Sequence, residues 1–174
     1  MIALLTACTI EVDIGDDCRL VEVSEVLTAN TYSPLPIVGD SDFFEIHNRD
    51  GQNAVNLKGY RFHGNQSLQP EFLVDQDCWI GPDGYQPFLA TTYDDAPASC
   101  PDPPATLFDF NNDGDSLYVW GPSGRLCEVV DIPDQHWDVP WQRNPDFPDE
   151  WCDASEPSPG ALNKPCLCDV SDGC

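Results

Sequence analysis

The residues best suited to chemistry sit in one short run, "FDFNNDGDSLYVW", residues 108–120. Within it Asp109, Asn111, Asp113 and Asp115 offer oxygen ligands at alternate positions, and Gly114 lets the chain turn sharply. Hard cations such as Ca²⁺ take oxygen donors in this pattern. The EF-hand form of such a loop needs a bidentate glutamate at its twelfth position, which counted from Asp109 is Trp120. Helical signals on either side are missing as well. An EF-hand is therefore excluded, and a looser turn holding weakly bound calcium is left as the cofactor reading. The competing reading is structural. Asp113 and Gly114 would supply the positive-φ residues of a hairpin turn, with Phe108 and Phe110 facing inward alongside Leu117 and Val119.

Other reactive groups are scattered. Trp137, Trp141 and Trp151 share a segment with Asp138, Asp146, Asp149 and Glu150, and aromatic rings beside acids can stack on sugars. Cys166-x-Cys168 has a spacing that suits zinc or redox chemistry, but outside the cytoplasm disulfides are the commoner use. His47, His63 and His136 are isolated from one another and read as polar surface residues. The chain contains no Gly-x-Ser-x-Gly, His-Glu-x-x-His or P-loop. Nothing selects a catalytic pair from its 31 acidic side chains, and no catalytic residue is assigned.

Those acids face only seven Lys and Arg, for a formal charge of −24 over 174 residues. Such a field repels phosphate backbones and argues against nucleic-acid binding. It disfavours docking on anionic lipid by charge alone. Hydrophobic content of 41% is too high for a disordered acidic tail. A domain of this length buries roughly 70% of its unfolded surface, so it does not depend on staples for a core.

Staples are nevertheless present in number. Nine cysteines at such density argue for an oxidising compartment, and an odd count leaves one to explain. "LLTAC" explains it: Leu5, Thr6 and Ala7 before Cys8 look like a bacterial lipobox, with cleavage before Cys8 and lipid on its thiol. Residues 1–7 then read as the stub of a truncated leader, apolar but without basic residues. Cys18, Cys78, Cys100, Cys127, Cys152, Cys166, Cys168 and Cys174 are left as disulfide candidates. Cys78 and Cys100 could bracket the proline-rich excursion at 94–105, a closure that contributes ~3 kcal/mol by chain-entropy reasoning. The chain is expected to be exported and lipid-anchored at the outer membrane or cell surface, touching the membrane through that anchor alone. Without the lipid it would be secreted.

The elements that must position these residues are strands. Proline and glycine interrupt every long window, and short runs rich in Val, Phe, Tyr and Leu lie between turn clusters. Residues 19–28 read as a strand with Val21 and Val23 on one face. Residues 42–48 place Phe44 and Ile46 on one face, with Phe43, Glu45 and His47 on the other. In 54–64 the inward parity changes between Leu57 and Tyr60, and Gly59 reads as a bulge. A strand follows near Phe88, then a hairpin from Leu107 to Trp120, a Gly-Pro-Ser-Gly turn, and a strand over 125–132. Residues 133–160 read as loop. Eight or so short strands imply an all-β sandwich or barrel.

Several of these stretches, taken in order, resemble a bacterial lamin tail domain. "VEVSEVL" resembles its opening strand with Glu25-Val26, and "SDFFEIHN" carries Asp42, Phe44, Glu45-Ile46 and Asn48. "VNLKGYRF" supplies Leu57, Gly59 and Tyr60, and the 108–124 run supplies Asn112, Gly114 and Asp115. Arg143, Pro145 and Asp146 resemble the late Arg-x-Pro-Asp motif, with Trp151 following, and "SPGALN" resembles the closing signature. Phe147 departs from the glycine often found after Pro-Asp, and the cysteines are additions. The resemblance spans roughly 20–163. It implies an immunoglobulin-like β-sandwich, here with long disulfide-stapled loops, and a non-catalytic binding or structural role. It implies that Glu25 and Glu45 are structural, on strand surfaces or bonded to loop amides, and that Trp151 is core. Trp137 and Trp141 fall outside its motifs and are the candidate ligand-binding surface, for a protein or glycan partner. The expected organisation is a leader stub and acidic spacer over 1–18, the domain over 19–165, and a Cys-rich tail over 166–174.

Overall fold

The computed structural model describes residues 17–31, 38–64, 72–91, 100, 102–106 and 108–167. Cys8, Cys168 and Cys174 lie outside the described residues. A single helical turn, α1 (Asp17–Leu20), leads into β1 (Val21–Leu27), β2 (Asp42–Asn48), β3 (Val55–Asn56), β4 (Arg61–Gly64) and β5 (Phe72–Leu73). Then come β6 (Trp79–Ile80), β7 (Tyr85–Ala90), β8 (Asp115–Trp120), β9 (Leu126–Ile132), β10 (Trp141–Arg143) and β11 (Trp151–Asp153). They form a sandwich of a five-stranded sheet, ordered β11-β10-β1-β2-β7, and a four-stranded sheet, ordered β5-β4-β8-β9, with β3 and β6 paired beside them. Every pairing between these strands is antiparallel. The fold is all-β.

Period-two alternation builds the core. Phe44 and Ile46 from β2 meet Phe62 from β4 and Leu117 and Val119 from β8 in one buried cluster. Phe44 lies edge-on to Phe62 at 5.0 Å and stacks on Phe88 at 5.2 Å, a geometry worth about 1 kcal/mol per pair beyond burial. Phe108 and Phe110 join the same cluster.

Three sequence expectations are corrected. The bulge is not at Gly59. That residue (φ +89°) ends β3's excursion and turns the chain into another sheet, and a Cβ there would meet Pro122 Cβ at 3.1 Å. A register shift falls instead in β1, between Val23 and Glu25. Nor do residues 108–110 form a hairpin with β8, whose two edges are taken by β4 and β9. Finally, 133–160 is not all loop. Its two three-residue strands, β10 and β11, are too short to show alternation in sequence, yet they extend the five-stranded sheet beyond β1.

Three disulfides tie the ends and the excursion to this frame. Cys18–Cys127 joins α1 to β9, Cys78–Cys100 joins the residue before β6 to a cysteine within the proline-rich segment, and Cys152–Cys166 joins β11 to the C-terminal segment. Asp17 and Cys18 are thus part of the folded unit rather than spacer. The Asp17 carboxylate accepts the Ser123 hydroxyl at 2.8 Å, and its carbonyl accepts the Tyr60 hydroxyl at 2.6 Å. Cross-links of this kind persist in an oxidising, extracytoplasmic environment.

Candidate functional site

The outward face of the five-stranded sheet carries a dense polar cluster. The β1 register shift makes it: counting by twos from Val21 and Val23 would turn Glu25 into the core, but the extra residue at Ser24 sets Glu25 directly opposite Glu45 on β2. Both carboxylates are fully buried. The cover is the segment 158–163. Ser158 donates its backbone N–H to Glu25 at 3.0 Å and its hydroxyl at 3.1 Å. Gly160 N–H donates to Glu45, which also accepts the Ser24 hydroxyl at 2.8 Å. Asn163 Nδ2 donates to the carbonyls of Ser24 at 2.9 Å and Arg143 at 2.8 Å, and Gln142 Nε2 donates to the Lys164 carbonyl. Burial pushes Glu25 up to about 7, against the pull of the Ser158 donors and the Lys164 charge. Glu45 is pushed well above the usual carboxylate range by burial and then by the Glu25 charge.

Beside this pair lies a second network around a cleft of about 400 Å³. His47 Nδ1 faces Glu22 at 3.0 Å, Nε2 faces Asp83 at 3.0 Å, and the ring stacks on Tyr85 at 4.4 Å. Burial opposes protonation of His47, but its two carboxylate partners outweigh that and raise its pKa. A carboxylate thus faces each ring nitrogen, one from a half-buried and one from an exposed side chain. Arg143 donates Nε to the Val23 carbonyl at 2.9 Å and Nη1 to the Pro148 carbonyl at 2.7 Å, pairs with Glu128, and lies over Trp151 at 5.0 Å. Glu128 in turn accepts the Val23 N–H at 2.8 Å.

The 109–115 turn sits elsewhere, by β8. Gly114 (φ +113°) donates its N–H to the Asn111 carbonyl at 3.1 Å; Asp113 is not in the positive-φ region, so one residue rather than two makes the turn. Asp115 is buried and spends its carboxylate inside the turn, accepting Asn111 N–H at 3.0 Å and Ser116 N–H at 2.7 Å. Asn111 Oδ1 accepts Asp113 N–H at 3.1 Å. The expected ligand set is therefore split. Asp109, Asn111 and Asp113 line an open cavity of about 490 Å³ with Asn30, Asp42 and Trp137, while Asp115 points back into its own turn. Among the described residues no three His, Cys, Asp or Glu side chains come together as a metal site requires. Burial, then the Asp109 charge, pushes Asp42 up to about 7; burial, then Asp115, raises Asp109.

The two tryptophans do not share a platform. Trp137 is 64% exposed at the rim of this cavity, whereas Trp141 is half-buried, stacks on Trp151 at 6.1 Å and packs against the core. Trp79, which no motif marks, is 62% exposed, turned outward by alternation with buried Ile80. Cys166 is committed to a disulfide, which removes it from a zinc pair with Cys168. His136 is exposed, and His63 meets Tyr118 edge-on. Asn30, Glu128 and Gln142 carry no motif; a loop, the packing of β9 beside β1 and the pairing of β10 with β1 bring them to these sites. In comparisons with known proteins, no protein-family model and no curated protein matches the chain.

Proposed function

We propose that the chain is a non-catalytic structural and interaction module of lamin-tail type, displayed outside the bacterial cytoplasm on a lipid attached to Cys8. One observation carries the non-catalytic reading: four of the most buried ionisable groups, Glu25, Glu45, Glu128 and Arg143, hold the chain's own backbone. Glu25 and Glu45 take the amides of Ser158 and Gly160, Arg143 takes the carbonyls of Val23 and Pro148, and Glu128 takes the amide of Val23. Groups committed in this way lock a surface and are not free for turnover. The lamin-tail reading is supported by the convergence of Glu25, Glu45, Arg143, Ser158, Gly160 and Asn163, which the chain scatters over more than half its length. Export is supported by the three disulfides. A carbohydrate-binding reading is supported by exposed Trp137 beside acidic side chains, and Trp141 does not add to it.

The test is turnover. Disulfide-intact protein is assayed on p-nitrophenyl esters, phosphates and glycosides beside His47→Ala and Glu22→Gln. No turnover above the variants is expected, and turnover that either substitution abolishes refutes the reading. Palmitate labelling should follow Cys8, and glycan-array binding lost in Trp137→Ala would favour the carbohydrate alternative.

A further inference from the structure

The outward face of the four-stranded sheet breaks the alternation that its inward face obeys. An antiparallel sheet with one face in the core ordinarily turns polar side chains outward. Here Phe62, Leu117, Val119 and Val130 fill the core, and most positions between them are again apolar or aromatic. Strand pairing sets these in rows. Leu73, Arg61, Trp120 and Leu126 cross the sheet in one row, and His63, Tyr118 and Val129 in the next. Leu73 is 49%, Val129 43% and Leu126 39% exposed, and Tyr118 and Trp120 are half-buried between them. Glu128 does not interrupt the patch, because its carboxylate takes the Val23 amide and pairs with Arg143. A contiguous apolar patch of this kind marks an interaction site.

The charges on this face select its occupant. Arg61 stands in the first row, and exposed Arg125 lies just beyond it in the turn before β9. At the other end exposed Asp131 pairs with Ser116 across the strands and accepts its hydroxyl at 3.2 Å. The patch thus has a basic end, an aromatic middle and an acidic end. A uniformly acidic or basic partner satisfies one end only, whereas a second copy satisfies both. A two-fold axis across the strands at Tyr118 lays β8 on β8 and β9 on β9, with Arg125 of each copy against Asp131 of the other. The charge of −24 on each copy opposes this, but at ~0.15 M salt charges more than ~8 Å apart are largely screened. Strand spacing of ~4.8 Å and a rise of ~3.4 Å per residue make the patch about 15 Å square, some ~400 Å² a copy with the side chains at its margins. Standard interfaces bury ~800 Å² a copy, so the pairing is weak and concentration-dependent.

We propose that the outward face of the four-stranded sheet is a self-association surface, on which two copies of this chain pack antiparallel through Tyr118, Trp120, Leu126 and Val129. This names a partner for the interaction module inferred above and rests on that reading.

Sedimentation equilibrium of the disulfide-intact protein in ~0.15 M NaCl tests it. A monomer–dimer Kd on the order of 0.1–1 mM is expected, and lowering the salt should weaken it as repulsion grows. Val129→Glu, at an exposed side chain, sets two acids at the middle of the pair and should weaken it at least ~10-fold with the melting temperature kept. Arg125→Asp should weaken it about 3-fold, and Arg125→Asp/Asp131→Arg should restore it, because the swap returns opposite charges to each end. A protein that stays monomeric at ~1 mM overturns the proposal, as does an unchanged Kd in Val129→Glu or a double swap no tighter than Arg125→Asp. Cellohexaose is the remaining arm. If the protein is monomeric at that concentration and binds this glycan, with binding lost in Val129→Glu, the face is a sugar platform and the proposal falls. A monomeric result leaves the turnover test unaffected, so the two readings fail separately.

Discussion

Replacing the buried carboxyls Glu25 and Glu45 by glutamine should flatten the pH dependence of stability. Glu25 faces Glu45 across β1 and β2, the Ser158 amide and hydroxyl from the covering segment, and the charge of Lys164. Its pKa moves from 4.5 to about 7 on folding. The folded state therefore holds this proton more tightly than the unfolded chain does. The contribution is fully present below the unfolded value and is lost as pH rises through the folded one. About 2.5 units at 1.36 kcal/mol each is roughly 3 kcal/mol, and Glu45 shifts in the same direction. For a chain of this size that is a fall in Tm on the order of 10 °C between about pH 5 and about pH 8. Asp42, Asp109, Glu128 and His47 titrate in the same sense and Asp17 and Glu22 in the opposite one, so the comparison is of slopes. Circular-dichroism melts of the disulfide-intact protein and Glu25→Gln/Glu45→Gln should diverge as the pH rises from about 5 to about 8, because glutamine stays neutral throughout. The double variant should be the flatter, and at about pH 8 it should melt no lower than the wild type. Superimposable slopes would refute the buried-carboxyl account.

Two further outcomes follow from the same face and its cross-links. Arg143→Lys keeps the charge but loses the fork that spans Val23, Pro148 and Glu128, so urea unfolding should show a loss of about 2–4 kcal/mol. A loss under ~0.5 kcal/mol, the size of a surface change, would count against the clamp. Cys18→Ser/Cys127→Ser opens a span of 109 residues and Cys152→Ser/Cys166→Ser one of 14, so the first pair should cost about 4–5 kcal/mol and the second about 3. Equal losses in melting experiments would show that native-state strain, not closure of the unfolded chain, sets their contribution.

Faces were legible in the sequence wherever alternation ran over several residues. β2 reads out fully, with Phe44 and Ile46 inward and Glu45 and His47 outward, because period two admits one assignment once a face is buried. The Cys78–Cys100 pairing, one of many that the cysteines allow, is present, but nothing in the sequence selects it over the others. Pairing was not legible. Phe108 and Phe110 alternate like a strand, yet both edges of β8 are taken by β4 and β9, a fact about partners far along the chain. β10 and β11 are three residues each, too short for any periodicity. The calcium-like run was legible as a set of oxygen donors, but not the direction in which each points. Asp115 turns inward to cap its own turn, and Asp42 arrives from β2 to stand near Asp109.

The single residue Ser24 accounts for much of the difference between the plain sandwich and the observed protein. Strict alternation from Val21 would put Glu25 inward among Val23, Phe44 and Phe62, an uncompensated acid in an apolar core. The register shift at Ser24 moves Glu25 to the outward face and returns Val26 to the core. An acid on that face would ordinarily meet water. Here it is opposite a second acid, and the pair is stable only if backbone donors cover it, which the amides of Ser158 and Gly160 do. The covering segment is then held at its far end by Asn163, Gln142 and the Cys152–Cys166 bridge. A shift of one residue in the first strand thus dictates where the last described segment must lie, as the cover of the buried acid pair.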